Sequence, residues 1–431
     1  MNFQEAVNYL TSLSKFGINL GLSRMEYLLQ QFGNPEENLK VIHVAGTNGK
    51  GSTVTMTANI LKEAGFRVGV YISPHLYCFT ERMTINGEPI PQEKLAELTA
   101  RVKPTLERLP LETDLDEATE FEVTTLLAFL YFMEEKVDFV ILEVGLGGRL
   151  DATNVVRKPL VSVVTNVDLD HMDQLGNTLR EIAGEKAGII KENSLVVTAS
   201  YEPEVLDVIK EVCQEKKARL WQVGKDILWE KGPCSLFKQC FNLEVAGKRY
   251  ENMETGLLGE HQILNAATAF GVMEALRERG FSIDERAIRA GLAKSKWPGR
   301  LEIMQENPLV IVDGAHNEAG AKILRKALEE VFEYEKLVLL LGIFADKAVG
   351  DVVKELVPLA SRVIVAKSHN PRALTPEELA EEVKNYTDQV IVKEEILAGV
   401  QAALALAGPR DMVCIAGSLS TMSEARKFWE K

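Results

Sequence analysis

Lys50, the hydroxyls of Ser52 and Thr53, and glycines at 46, 49 and 51 crowd into one stretch, VIHVAGTNGKGST, over residues 41–53. Those residue types suit one task, holding the phosphates of a nucleotide. Glycines let backbone N–H groups close on phosphate oxygens, and a helix starting in the loop adds partial positive charge. Lys50 supplies a full cation, and Ser52 or Thr53 a hydroxyl able to ligate magnesium. Only Thr47 and Asn48 separate Gly46 from Gly49-Lys50, so the spacing is not that of the usual P-loop. A plain glycine turn would explain the glycines but not a lysine and a serine in register with them. The stretch Gly46, Thr47, Asn48, Gly49, Lys50, Gly51, Ser52, Thr53 is therefore read as a nucleotide-phosphate site.

Other reactive side chains gather where apolar runs end. Glu143 closes DFVILEV and precedes Gly145-Leu146-Gly147-Gly148-Arg149-Leu150-Asp151-Ala152-Thr153-Asn154. Asp168-Leu169-Asp170-His171 follows a run at 160–167, Ser73-Pro74-His75-Leu76 follows one at 67–72, and Asp313-Gly314-Ala315-His316-Asn317 follows one at 309–312. Each has a plainer reading: Glu143, Arg82 and Arg149 as surface charges, His171 and His316 as helix caps, Lys186 as a solvated helix lysine. Charged side chains are seldom placed at the end of a buried run without a role, which favours the chemical reading.

The elements that must position these residues follow from hydrophobic periodicity. Strands are expected at 41–45, 67–72, 138–144, 160–167 and 195–199, with helices at 3–13, 23–31, 53–64, 92–108, 119–135 and 178–187. Short strands between long helices predict a doubly wound, mostly parallel α/β sheet, whose ligands sit beyond the strands' carboxyl ends. All the polar loops just named share that address. From 221 to 250 the pattern is irregular and strand-like. Helices at 263–278 and 284–293 precede Lys296-Trp297-Pro298-Gly299-Arg300, a hinge by its Pro and Gly. A second βα series follows, with strands at 309–312, 336–341, 362–366, 389–392 and 412–416, the last leading into Gly417-Ser418. The expectation is a P-loop domain over 1–296 and a smaller Rossmann-like α/β domain over 297–431, forming a cleft that closes on ATP and a second substrate.

A chain of 431 residues exceeds one ordinary core. Its formal net charge of −14 argues against nucleic acid or an anionic membrane as partner. Five scattered cysteines, without metal-finger spacing, fit reduced thiols and a cytoplasmic location. The N-terminus, MNFQEAVNYLTSL, has neither the form of a signal peptide nor an apolar run able to span a bilayer.

Eight stretches in order, HVAGTNGKGS, SPHL with FTERM, EVGLGGRLDATN, DHMDQLG, GEKAGIIK, GEHQILNA, PGRLE and DGAHN, resemble the folylpolyglutamate synthase and dihydrofolate synthase family of the Mur-ligase-like superfamily. The resemblance covers essentially the whole chain. It implies an ATP-dependent ligase that adds L-glutamate to a folate carboxylate. Joining a carboxylate to an amine in water requires an activated carboxyl, which ATP provides as an acyl phosphate; the charge gathered in that transfer must be offset by magnesium and basic groups.

By this resemblance Lys50, Lys186, Asp313 and His316 are catalytic, and Asn265, Arg300 and Asp313 join the loop in holding ATP. Ser52 and Glu143 would bind one Mg2+, and Ser73 and His171 a second. Lys186 is carbamylated in this family, which turns an ammonium that would repel the metal into an anion. Ser73, Pro74, His75, Phe79, Arg82, Phe121, Glu122, Arg149, Asp151 and Ala152 would line the folate side, with His316 and Ser418 toward glutamate. The Arg149–Asn154 run is similar to members that act on both dihydropteroate and reduced folates. A monomer with small-molecule substrates is implied. Two rivals remain: a cell-wall Mur ligase acting on a nucleotide-linked muramyl acid, and a non-ligating nucleotide switch. Against the switch, Thr165-Asn166-Val167-Asp168 is only a partial match to the guanine-reading NKxD element.

Overall fold

The computed structural model describes residues 1–430, and the chain collects into two compact units. One holds Met1–Glu230, Phe241–Met253 and Ile263–Ser295; the other holds Lys231–Cys240, Glu254–Gln262 and the described chain from Lys296 onward.

The first unit is organised on an eight-stranded sheet. Its strands are β1 (Val41–Ala45), β2 (Val68–Tyr71), β3 (Met83–Ile85), β4 (Glu88–Pro89), β5 (Phe139–Glu143), β6 (Val161–Val164), β7 (Leu195–Thr198) and β8 (Arg219–Gln222). They lie in the order β4-β3-β2-β5-β1-β6-β7-β8. From β2 to β8 every pair is parallel, and β3 runs antiparallel to both of its neighbours, β2 and β4. Every residue of β1 and β5 is buried, as in strands covered on both faces, which is why they read as unbroken apolar runs. From β1 the chain crosses β5 to reach β2; from β5 it crosses β1 to reach β6. That reversal sets the carboxyl ends of β1, β5 and β6 side by side, where an open α/β sheet binds its ligand.

Helix Glu120–Glu134 packs under this site. Thr119 and Glu122 close a capping box at its start, and every residue from 122 to 132 is buried, the mark of a helix inside a core. It shares that core with Leu10, Leu98, Val102 and the sheet. Each such buried aliphatic or aromatic side chain contributes about 1.5–3 kcal/mol.

Three local differences from the expected pattern stand out. Helix Lys50–Glu63 begins three residues earlier than the periodicity places it, because Gly49 in the left-handed region starts it and carries Lys50 and Gly51 into the first turn. Strands β3 and β4 are too short to show an alternating pattern. Helix Pro203–Glu215 goes unassigned in the sequence reading, although Pro203 at its first turn and buried Val205, Leu206, Ile209 and Cys213 carry helical spacing.

A three-stranded sheet comprises β9 (Ile227–Cys234), β10 (Gln239–Val245) and β11 (Lys248–Thr255), in the order β11-β10-β9. The second unit's main sheet contains β12 (Glu302–Glu306), β13 (Leu309–Val312), β14 (Leu337–Leu341), β15 (Arg362–Lys367), β16 (Val390–Glu395) and β17 (Met412–Ala416), ordered β12-β13-β17-β14-β15-β16. Only β12 runs antiparallel to its neighbour. Because β17 returns between β13 and β14, the loops that start at Asp313 and Gly417 lie together. Among the described residues no helix is long and apolar enough to cross a membrane.

Candidate active site

The loop after β1 is held by the loop after β6. Thr47 N–H donates to the Asn166 carbonyl at 2.8 Å, and Asn48 N–H donates to Asn166 Oδ1 at 3.1 Å. Thr165 Oγ1 donates to the Asn48 carbonyl at 2.8 Å, and Asp168 N–H to Thr47 Oγ1 at 3.0 Å. So the Thr165–Asp168 run, a partial look-alike for a base-reading element, acts as a brace on the phosphate loop. Gly46 has φ +146°, and a Cβ there would lie 1.8 Å from Thr165 Oγ1; at Gly49, φ +85°, it would lie 2.5 Å from Asn265 Oδ1. The structure thus brings Asn265 to the loop. Lys50 Nζ reaches the carbonyls of Gly46 and Thr47 at 2.9 and 3.2 Å, placing its charge over the loop. Ser52 and Thr53 are buried in the first turn of the helix.

Next to this cradle, Glu143 ends β5 as a buried carboxylate, paired directly with Val44 of β1 in the ladder. His171 follows β6 with φ +50°, a conformation a histidine rarely adopts and one that clusters at functional sites. Lys186 is buried at 4% exposure. Loss of hydration, then the nearby Lys50 ammonium, pushes its pKa down to about 7, while Asp170, Asp168 and Asp151 pull the other way. A substantial neutral-amine fraction therefore exists near neutral pH.

Among the described residues no three His, Cys, Asp or Glu side chains are grouped to hold a metal ion. What stands beside the cradle is an oxygen set, the buried Glu143 carboxylate and the Ser52 hydroxyl, with the Thr53 hydroxyl buried and unbonded. That fits a hard cation which takes one or two protein oxygens and completes its shell with phosphate and water, as magnesium does.

A cavity of about 380 Å³ opens at the same sheet edge. Of the residues expected on the folate side, Ser73, Pro74, Arg82, Phe121, Glu122, Asp151 and Ala152 line it, together with His171, which was expected at a metal. Asp151 is buried and gathers N–H groups from Gly145 (3.1 Å), Leu146 (2.9 Å) and Thr153 (3.0 Å), so it shapes the loop from inside; burial holds its carboxyl above the usual range against those donors. Gly145 leaves room for Phe121, whose ring would lie 2.6 Å from a Cβ there. Arg82 donates to His75 Nδ1 at 2.9 Å, pairs with Glu120 at 2.9 Å and lies over the Phe79 ring. Burial and Arg82 push His75 down to about 4, so it stays neutral. His75 and Phe79 support the wall through Arg82.

Two expected contacts have other partners. Arg149 is more than half exposed and bound to Glu185 at 2.8 Å, outside the cavity lining. Glu122 lines the cavity, yet both its oxygens are bonded to Arg24. One wall goes unforeseen: Ser14, Gly17, Ile18, Asn19, Leu20 and Gly21. Its signal was a glycine-flanked GINLG run between two amphipathic helices, with Ile18 63% exposed.

In the second unit, buried Asp313 accepts from Leu301 N–H at 2.9 Å and Ala315 N–H at 2.8 Å. Burial raises its pKa and the nearby Arg300 opposes that shift. His316 Nδ1 donates to the Gly314 carbonyl at 2.8 Å, which orients the ring. Arg300, Asp313 and His316 thus share one corner. Ser418 caps helix Leu419–Arg426, with its oxygen on Thr421 N–H at 3.0 Å and its proton toward Thr421 Oγ1 at 2.9 Å. Near Arg300 lies His261, another residue the sequence reading passed over, pushed down to about 3 by burial and that arginine.

Known proteins resemble the chain along essentially its whole length. The Mur ligase middle domain matches residues 44–273, and the Mur ligase glutamate ligase domain matches residues 299–419. The dihydrofolate synthase/folylpolyglutamate synthase of Bacillus subtilis (strain 168) is 40% identical over 431 residues, 99% of this chain and 98% of that protein. Mycobacterium tuberculosis folylpolyglutamate synthase complexed with ADP superposes with a TM-score of 0.92 at 31% identity, covering 100% of this chain and 99% of that one. Escherichia coli FolC in complex with DHPP and ADP superposes at 0.88 with 33% identity, covering 99% and 97%.

Proposed function

The chain belongs to the folylpolyglutamate synthase and dihydrofolate synthase family of Mur-type ligases, and from that premise we propose that it joins L-glutamate to a folate carboxylate, using ATP and releasing ADP and phosphate. One observation supports this above others: a braced phosphate cradle and a cavity open on the same sheet edge, joined by the segment after β6 in which Asp168 bonds Thr47 of the cradle and His171 lines the cavity. Residues 1–296 are taken as the ATP and folate domain, and 297–431 as the domain that serves glutamate.

In this reading Lys50 and the loop amides hold the triphosphate, with Asn265 beside them and Arg300 and Asp313 as further nucleotide contacts. The folate carboxylate takes the γ-phosphoryl group, giving an acyl phosphate and ADP. The glutamate amine then attacks the acyl carbon, phosphate leaves, and the amine loses a proton. His316, its ring oriented by the Gly314 carbonyl, serves the glutamate side, and Ser418 keeps the turn beside it in place. Ser52 and Glu143 are the residues for one Mg2+, and Ser73 and His171 for a second; magnesium offsets the charge that gathers on the phosphoryl group. Lys186 is carbamylated: its neutral amine adds to CO2 with loss of a proton, and its burial protects the product.

The relative of 40% identity carries both activities in its name, which supports a second acid substrate, dihydropteroate. The test supplies MgATP and glutamate with tetrahydrofolate or with dihydropteroate and follows ADP. Release with both acids is expected. Release with tetrahydrofolate alone would remove the dihydrofolate synthase half, and release with neither would overturn the reading.

A further inference from the structure

The cavity wall from Ser14 to Gly21 has little structure of its own. A single short helical turn, Leu13–Phe16, opens it, and Gly17 (φ +63°) and Gly21 (φ +153°) take conformations that mark bends. What holds it comes from outside. Gly21 N–H donates to the Leu150 carbonyl at 3.3 Å, and the Arg24 guanidinium donates to the Asn19 carbonyl. The same guanidinium places Nε on both oxygens of Glu122, at 2.9 and 3.1 Å. Glu122 in turn accepts from Thr119 N–H at 2.8 Å and from Thr119 Oγ1 at 2.9 Å, fixing the start of helix Glu120–Glu134. Thr119, Glu120 and Phe121 form another wall of the cavity. Arg24 and Glu122 are 7% and 3% exposed.

One buried ion pair therefore fastens two walls that are about a hundred residues apart in sequence. Resting on the folate-ligase reading, we propose that Arg24 and Glu122 are positioning residues that set the spacing of the folate cavity, and that Glu122 serves the substrate through Arg24 rather than by touching it. Stability alone does not require this arrangement. A buried pair exchanged for neutral side chains of similar size is often no less stable, whereas removing one partner strands a charge. What neutral side chains lack is the planar fork that serves a carboxylate and a backbone carbonyl at once, a geometry lysine does not reproduce. The pair thus acts on where Asn19 and Phe121 stand relative to the bound acid.

The test compares wild type, Arg24→Lys, Glu122→Gln and the double variant Arg24→Met/Glu122→Gln, each measured for melting temperature and for KM toward tetrahydrofolate, ATP and glutamate. The double variant carries no stranded charge and is the decisive one. It should fold, with KM for tetrahydrofolate raised about tenfold or more and KM for ATP and glutamate within about twofold. Arg24→Lys, which keeps the charge but not the fork, should show a raised folate KM as well. A folate KM like wild type in the double variant, or an equal rise for all three substrates, overturns the proposal. If the double variant fails to fold, the folded single variants decide on the same criterion. Wild type without glutamate-dependent turnover would instead indict the folate-ligase reading, so the two failures are separable.

Discussion

The phosphate cradle and the folate cavity share a sheet edge but are built in opposite ways. The cradle is one contiguous loop whose backbone groups are the ones held: Thr47 N–H by the Asn166 carbonyl, Asn48 N–H by Asn166 Oδ1 and the Asn48 carbonyl by the Thr165 hydroxyl. The cavity is assembled from segments near 14–21, 73–82, 119–122, 145–152 and 171, and buried side chains join them. A backbone site demands glycine and one lysine in sequence. A side-chain site demands partners such as Arg24 and Glu122 that no local pattern connects. Damage to the two should therefore look different in kinetics.

The largest effect is expected in the cradle. Lys50→Ala should lower kcat by about a thousandfold or more while the far-ultraviolet spectrum and the KM for folate stay near wild type. A rate within tenfold of wild type would remove Lys50 from phosphoryl transfer. The next effect belongs to the cavity. Asp151→Asn puts an NH2 group where one carboxylate oxygen accepts, facing either the N–H groups of Gly145 and Leu146 or that of Thr153. It should cost about 3 kcal/mol in urea unfolding and raise the folate KM about tenfold, with the ATP KM unchanged. Equal changes in both KM values would erase the distinction between the regions.

A smaller effect probes the seam between them. His43, on β1 beneath the cradle, is fully buried and lies 2.8 Å from Thr153 Oγ1 in the cavity loop. Since the Thr153 hydroxyl donates to Asp151, His43 Nε2 carries the proton and the ring is neutral. Burial, then Lys191, pushes its pKa down to about 3. The unfolded chain binds a proton on this histidine below about 6.5 and the fold does not, so stability is lost as pH falls from about 6.5 toward 3. His43→Asn should remove about 1.4 kcal/mol per pH unit from the slope of unfolding free energy between pH 6 and 4. An unchanged slope would show that His43 titrates freely in the fold. The smallest effect is expected at Arg149, whose guanidinium is exposed and held by Glu185. Arg149→Ala should leave the folate KM within about threefold of wild type; a tenfold rise would return it to the cavity.

The same contrast explains what the sequence made legible. The central strands, the cradle and its helix were readable because β1 and β5 are buried on both faces and the glycine loop is contiguous. The family resemblance supplied Asn265, which the fold brings against Gly49 although no local pattern joins them. The 14–21 wall escaped because irregular backbone has no period, and its anchor is an arginine whose partner lies about a hundred residues away. Arg149 illustrates the converse: a motif residue can match its family while its side chain pairs at the surface. Helix Pro203–Glu215 was a plain omission, since its spacing was regular.

The account rests on cradle and cavity acting together, with the acid activated by phosphoryl transfer before the amine attacks. Folate labelled with heavy oxygen in its reacting carboxylate, supplied with MgATP and glutamate, tests this directly when the released phosphate is weighed by mass spectrometry. One labelled oxygen in the phosphate, with a product one glutamyl residue heavier, is the predicted result. A glutamylated product alongside unlabelled phosphate would contradict it.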